Sequence, residues 1–135
     1  MRHTEHHLAG DLDAPARSRR LAEDWATGHP RRHEIVLAVS EIVANAVTHG
    51  APLTTESGMR LSFDSSDSCL RVAVAHAGAA FDPRNGRDFS GLSIVDSSVD
   101  RWGVDEREGN VEVWFEVDHT DSNPSAGDAS DFRHR

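Results

Sequence analysis

Apolar residues recur along this chain at two different periods, and the change from one to the other divides it into elements. Between Glu34 and Gly50 the sequence EIVLAVSEIVANAVTHG sets Ile35, Val39, Ile42 and Ala46 three and four positions apart. That is the spacing of one helical face, and Val36, Val43 and Val47 widen the stripe. The pattern predicts a helix over roughly Arg32 to His49, stopped by Gly50 and Pro52. An earlier helix is predicted to start at Asp13, an acidic cap with Pro15 in the first turn. It carries Leu21, Ala22 and Trp25 at helical spacing and ends at Gly28 to Pro30. The period then becomes two. Met59, Leu61 and Phe63, then Leu70, Val72 and Val74, alternate with polar residues on either side of the turn DSSDS, which predicts a hairpin with one buried face. From Ala77 to Ser90 the alternation lapses into Gly, Pro, Asn and Asp, the composition of a long loop, and such loops in compact domains are often functional. A short helix from Gly91 to about Val99 follows. A second hairpin, Trp102 to Val104 and Val111 to Val117, closes through a Gly109-Asn110 turn.

Helices beside antiparallel hairpins imply an α+β fold: a two-layer α/β sandwich with a mostly antiparallel sheet covered on one face by helices. The chain has 135 residues, enough for one domain and too few for two ordinary ones. The expected organisation is a flexible N-terminus over residues 1–11, a folded domain over 12–118 and a disordered acidic tail over 119–135, HTDSNPSAGDASDFRHR. The N-terminal His3, His6 and His7 fit that flexible end better than a metal site, since no cysteine stands near them to complete a first shell.

Composition narrows the chemistry. All 14 basic residues are arginine and the formal net charge is −9. Without lysine, G-x-x-x-x-G-K-[ST] cannot be written, and an acidic surface argues against a nucleic-acid phosphate track. The single Cys69 excludes an internal disulfide and a cysteine zinc cluster. No segment is apolar enough to span a bilayer and no hydrophobic run opens the chain, so the expectation is a cytoplasmic protein with no membrane contact.

The polar side of the long helix carries the candidate chemistry. Glu41, Asn45 and His49 lie one turn apart, roughly opposite the apolar stripe. A carboxylate can take a proton or orient a water, and an amide oxygen one turn on can ligate a hard cation such as Mg²⁺. E-x-x-x-N is also common on helix faces that do nothing but meet solvent. His49, at the helix end, would equally complement the helix dipole as a cation. Trp25, Trp102 and Trp114 read as core or interface residues.

The order of these pieces resembles the GHKL ATPase fold of gyrase, histidine kinases and anti-sigma-factor serine kinases, and most closely the small single-domain actinobacterial members of the last group. The resemblance covers about Leu12 to Val117. It rests on SEIVANAVTHG, on VAVAHAGAAFDP, and on GLSIVDSSVDRWGV with VEVWFEV. It implies that Glu41 is the base that helps a substrate serine attack ATP and that Asn45 holds Mg²⁺. It also implies that His49, His76, Gly78, Ala80, Ser90, Gly91 and Leu92 stand at nucleotide-binding positions.

Two boxes depart from the family pattern. Where the family reads D-x-G-x-G, with an aspartate that accepts from the adenine amino group, this chain reads His76-Ala77-Gly78-Ala79-Ala80. A neutral imidazole can accept one hydrogen bond, a protonated one none, and losing a charge-assisted bond costs about 1.5–3 kcal/mol, roughly tenfold to a hundredfold in affinity. The second glycine box reads Phe89-Ser90-Gly91, which keeps the glycine whose N–H at a helix start can cradle an anion. Arg84 and Arg87 can contact phosphate, or can simply be solvated loop arginines. The implied activity is that of an ATP- and Mg²⁺-dependent serine/threonine kinase acting between a sigma factor and an anti-anti-sigma protein, with homodimerisation common in the family. The alternative is a non-catalytic protein-binding module with a degenerate nucleotide site.

Overall fold

The structure, a computed structural model, describes residues 2–9, 11–49, 58–77, 92–107 and 110–119. Five strands and three helices follow the order β1 (Arg2–Leu8), α1 (Ala14–Trp25), α2 (Arg32–His49), β2 (Met59–Ser65), β3 (Cys69–Ala77), α3 (Leu92–Ser98), β4 (Arg101–Arg107) and β5 (Asn110–Asp118). The strands form one sheet in the order β1-β2-β3-β5-β4, with every neighbouring pair antiparallel. This is the α+β arrangement expected from the alternating and helical periods.

The register explains the core. Thr4, Phe63, Val72, Phe115 and Trp102 fall in one cross-strand row, and His6, Leu61, Val74, Val113 and Val104 in the next. These side chains share a face because strand residues alternate sides, and α2 packs on that face against β3 and β5. Phe63, Leu61, Val72, Val74 and Phe115 are fully buried there. Removing such a side chain from water contributes about 1.5–3 kcal/mol each. The other face is polar. Arg101 donates to Glu116 Oε1 at 2.8 Å and to Asp118 Oδ1 at 2.5 Å, and Arg71 donates to Glu116 Oε2 at 3.2 Å. The Asp118 and Glu116 partners raise the Arg101 pKa, so this guanidinium stays charged. Trp114 lies on the same face across Gly103, where an added Cβ would sit 2.8 Å from the indole, and the Arg71 guanidinium covers it at 4.3 Å.

Two local expectations need correction. Residues 1–11 do not form a flexible end as a whole, because Arg2–Leu8 pairs along β2 as an edge strand. Its inward positions are Thr4, His6 and Leu8. The His6 ring meets Phe63 edge-on at 6.0 Å, and Trp25 of α1 stacks on Phe63 at 5.4 Å, with the Arg2 guanidinium 4.1 Å from the Trp25 ring centre. Second, Asp13 makes no side-chain cap bond, since it is already helical at φ −87°, ψ −9°. Asp11 acts two residues earlier: its Oδ1 accepts from the Asp13 N–H at 2.9 Å and from Arg17 at 3.0 Å. At the other end His119, just past β5, is held by bonds to Ser66 and Ser68. The long loop after Ala77, the Gly109 turn and residues 120–135 lie outside the described residues.

Candidate functional site

Helix α2 starts at the foot of the sheet. The Arg31 guanidinium donates to Asp100 Oδ2 at 2.8 Å and to the Ser98 carbonyl at 2.7 Å, beside the end of α3, and Asp100 also accepts the Asp118 N–H at 2.7 Å. The helix then runs toward the opposite end, where β3 finishes at His76 and Ala77 and α3 begins at Leu92. Glu41 and Asn45 therefore belong to the half of α2 nearer the C-terminal end of β3, and His76 and the first turn of α3 share that end.

The polar side of α2 is not a solvated face. Asn45 is 7% exposed and Ser40 8%, because α1, α3 and the sheet close around the helix together. A buried side-chain amide is expensive unless its polar atoms are used. Asn45 Nδ2 donates to the Glu41 carbonyl at 3.2 Å, one turn back. This fixes the rotamer and leaves the amide oxygen as the end suited to a hard cation, so the side chain fits Mg²⁺, which takes oxygen ligands. Glu41 is half-buried in the turn between. Its carboxylate can accept a proton from a hydroxyl brought to it.

His76 is the last helix-facing residue of β3, in the row of Met59 and Val111, and is 6% exposed. The alternation Leu70, Val72, Val74 carries on to it, so a polar ring occupies what the pattern makes an inward position. Leu92 is fully buried in the core, and its side chain serves packing. His49 ends α2. Gly78, Ala80, Arg84, Arg87, Ser90 and Gly91 lie outside the described residues.

Sequence reading passes over Arg19. Its Nη1 donates to Ser40 Oγ at 3.2 Å, which sets an exposed guanidinium of α1 beside the residue preceding Glu41. Nothing in the run RSRR separates Arg19 from its neighbours. Only the packing of α1 on α2 brings residues 21 positions apart together.

A family model described as the histidine kinase-like ATPase domain matches residues 8–115. The chain belongs to that family. Among solved structures, the RsbU and RsbW domains of Rv1364c from Mycobacterium tuberculosis align with TM-score 0.70 and 20% identity. That alignment covers 87% of this chain and 32% of the other, so this chain spans about a third of that structure's length. The catalytic domain of the histidine kinase ThkA, in a nucleotide-free form, aligns with TM-score 0.58 and 18% identity over 90% of this chain and 100% of that domain. Both are likenesses of fold. No curated protein matches in sequence. Among the described residues no helix is long and apolar enough to cross a membrane.

Proposed function

We propose that this chain is an ATP-binding protein serine/threonine kinase of the anti-sigma-factor type, controlling a sigma factor by partner switching with an anti-anti-sigma protein. The observation that carries the reading is the buried turn of α2, with Asn45 tied back to the Glu41 carbonyl and Glu41 beside it. Family membership and the likeness to an RsbW domain support it. Glu41 accepts the proton of the partner's serine hydroxyl as that oxygen bonds to the transferred phosphoryl group and ADP leaves. Asn45 holds Mg²⁺ through its amide oxygen, and the ion neutralises phosphate charge when bound. The protein works in the cytoplasm, with protein partners and no direct contact with nucleic acid.

One observation favours a second reading, a protein-binding module that has lost nucleotide. By the resemblance His76 stands where the family pattern has an adenine-reading aspartate, and it is buried, so this reading puts a ring in place of a carboxylate. Calorimetric titration with ATP and ADP in the presence of Mg²⁺ separates the two. The kinase reading expects binding that Asn45→Ala weakens. An absence of heat up to millimolar nucleotide, from folded protein, would leave the binding module.

A further inference from the structure

The foot of the sheet, opposite the end that carries Glu41 and Asn45, holds two histidines that the proposed activity does not use. His29 lies in the turn between α1 and α2, and its ring centroid is 5.4 Å from that of His119 at the end of β5. The Arg31 backbone N–H donates to His29 Nδ1 at 3.0 Å. A ring nitrogen accepts only when it carries no proton, so the neutral ring must hold its proton on Nε2. That Nε2 is buried and has no hydrogen-bond partner among the described residues. His119 is fixed from the other side, its Nε2 donating to the Ser66 carbonyl at 2.8 Å and its backbone N–H to the Ser68 carbonyl at 2.9 Å.

We propose that His29 is an acid-sensitive latch: its neutral ring closes the α1–α2 turn onto the end of β5, and uptake of one proton opens that turn at the foot of α2. A protonated ring cannot accept the Arg31 N–H. It would also face the His119 ring and the Arg31 guanidinium next to it. The acids nearby are Asp100 and Glu34, and Asp100 already serves Arg31 and the Asp118 N–H. Burial first, then His119 and Arg31, hold the His29 pKa below its ordinary value against the weaker opposite pull of Asp100 and Glu34. The folded chain thus binds this proton less tightly than the unfolded chain. Stability from the latch is complete above the ordinary histidine pKa of about 6.5 and is lost as pH falls from there toward the lower folded value. Within that window one proton changes the unfolding constant by at most about tenfold per pH unit.

Long-range ¹H–¹⁵N spectra of the full chain, titrated from about pH 7.5 to about pH 5, read both tautomer and midpoint. The latch expects His29 with its proton on Nε2 at the upper pH, a midpoint below about 6.5, and an Arg31 amide whose shift moves and whose exchange protection falls with that same midpoint. His29→Asn keeps an acceptor, Oδ1, near the place of Nδ1 but does not titrate, so its Arg31 amide should stay protected throughout. A proton on Nδ1, a midpoint at or above about 6.5, or an Arg31 amide indifferent to pH in the unaltered chain overturns the proposal, whether or not the variant folds.

Discussion

The two ends of α2 are held in different ways. At the foot, Arg31 reaches the carbonyl of the last residue of α3 and a carboxylate on the segment joining α3 to β4, and the same carboxylate receives a backbone N–H from β5. Three elements meet there in charge-assisted bonds, which are the stronger kind. In the far half, Asn45 is as buried as many core residues and, among the described residues, its amide nitrogen bonds back into its own helix, while midway along α2 Ser40 receives a bond from one exposed arginine of α1. Bonds at the foot join elements and fix where the helix sits. The Asn45 bond orients a side chain without joining elements, which is what a site has to do before a ligand arrives. The contrast makes a testable division: substitutions at the foot should cost stability, and those in the far half should cost activity.

The largest expected effect lies in the far half. Under the kinase reading, Glu41→Gln keeps the size and the helix but removes the base. In a phosphorylation assay with a cognate partner it should slow transfer by about 10²–10⁴-fold while the melting temperature stays unchanged. An equal loss of both would place Glu41 among the structural residues. Next comes the foot. Arg31→Ala leaves the half-buried Asp100 carboxylate, among the described residues, with the Asp118 N–H and should lower unfolding free energy by about 1.5–3 kcal/mol, read by urea denaturation. Asp100→Asn keeps an acceptor oxygen and removes the charge, so it should cost less than Arg31→Ala. If the order reverses, the foot depends on the backbone bond of Asp100 to β5 more than on its ion pair.

Much of this was legible in the sequence, and the gaps have physical causes. Helix α2 has the bounds Arg32–His49 that its apolar spacing and stop signals predict. Met59, Leu61, Phe63, Leu70, Val72 and Val74 fill the buried face their alternation assigns. Strand β1 obeys the same period, but Thr4, His6 and Leu8 carry it, and their apolar partners Phe63 and Trp25 come from elsewhere in the chain, so its composition reads as a solvated end. At the site, the one-turn spacing of Glu41 and Asn45 was visible in the sequence. The burial of Asn45 was not, because a single helix pattern divides residues into an apolar stripe and a polar remainder, whereas α2 is enclosed by helices and sheet at once. Arg19 illustrates the limit from the other direction, since its contact with Ser40 exists only after α1 has docked.

The smallest effect tests the division most closely. Asn45→Ala removes the bond to the Glu41 carbonyl and leaves a small void, both unfavourable. It also replaces a weaker helix former by the best one, worth about 0.5–0.7 kcal/mol, and withdraws a polar group from an apolar setting. These contributions oppose one another, so the ligand-free variant should melt within about 2 °C of the unaltered chain, a change of about 0.5 kcal/mol. Under the kinase reading the stabilisation conferred by millimolar ATP with Mg²⁺ should shrink sharply in the same variant, since a ligand stabilises only as far as it binds the folded state. A ligand-free loss of about 2 kcal/mol or more would mean that Asn45 anchors α2 as Arg31 does, and the two ends of the helix would no longer differ in kind.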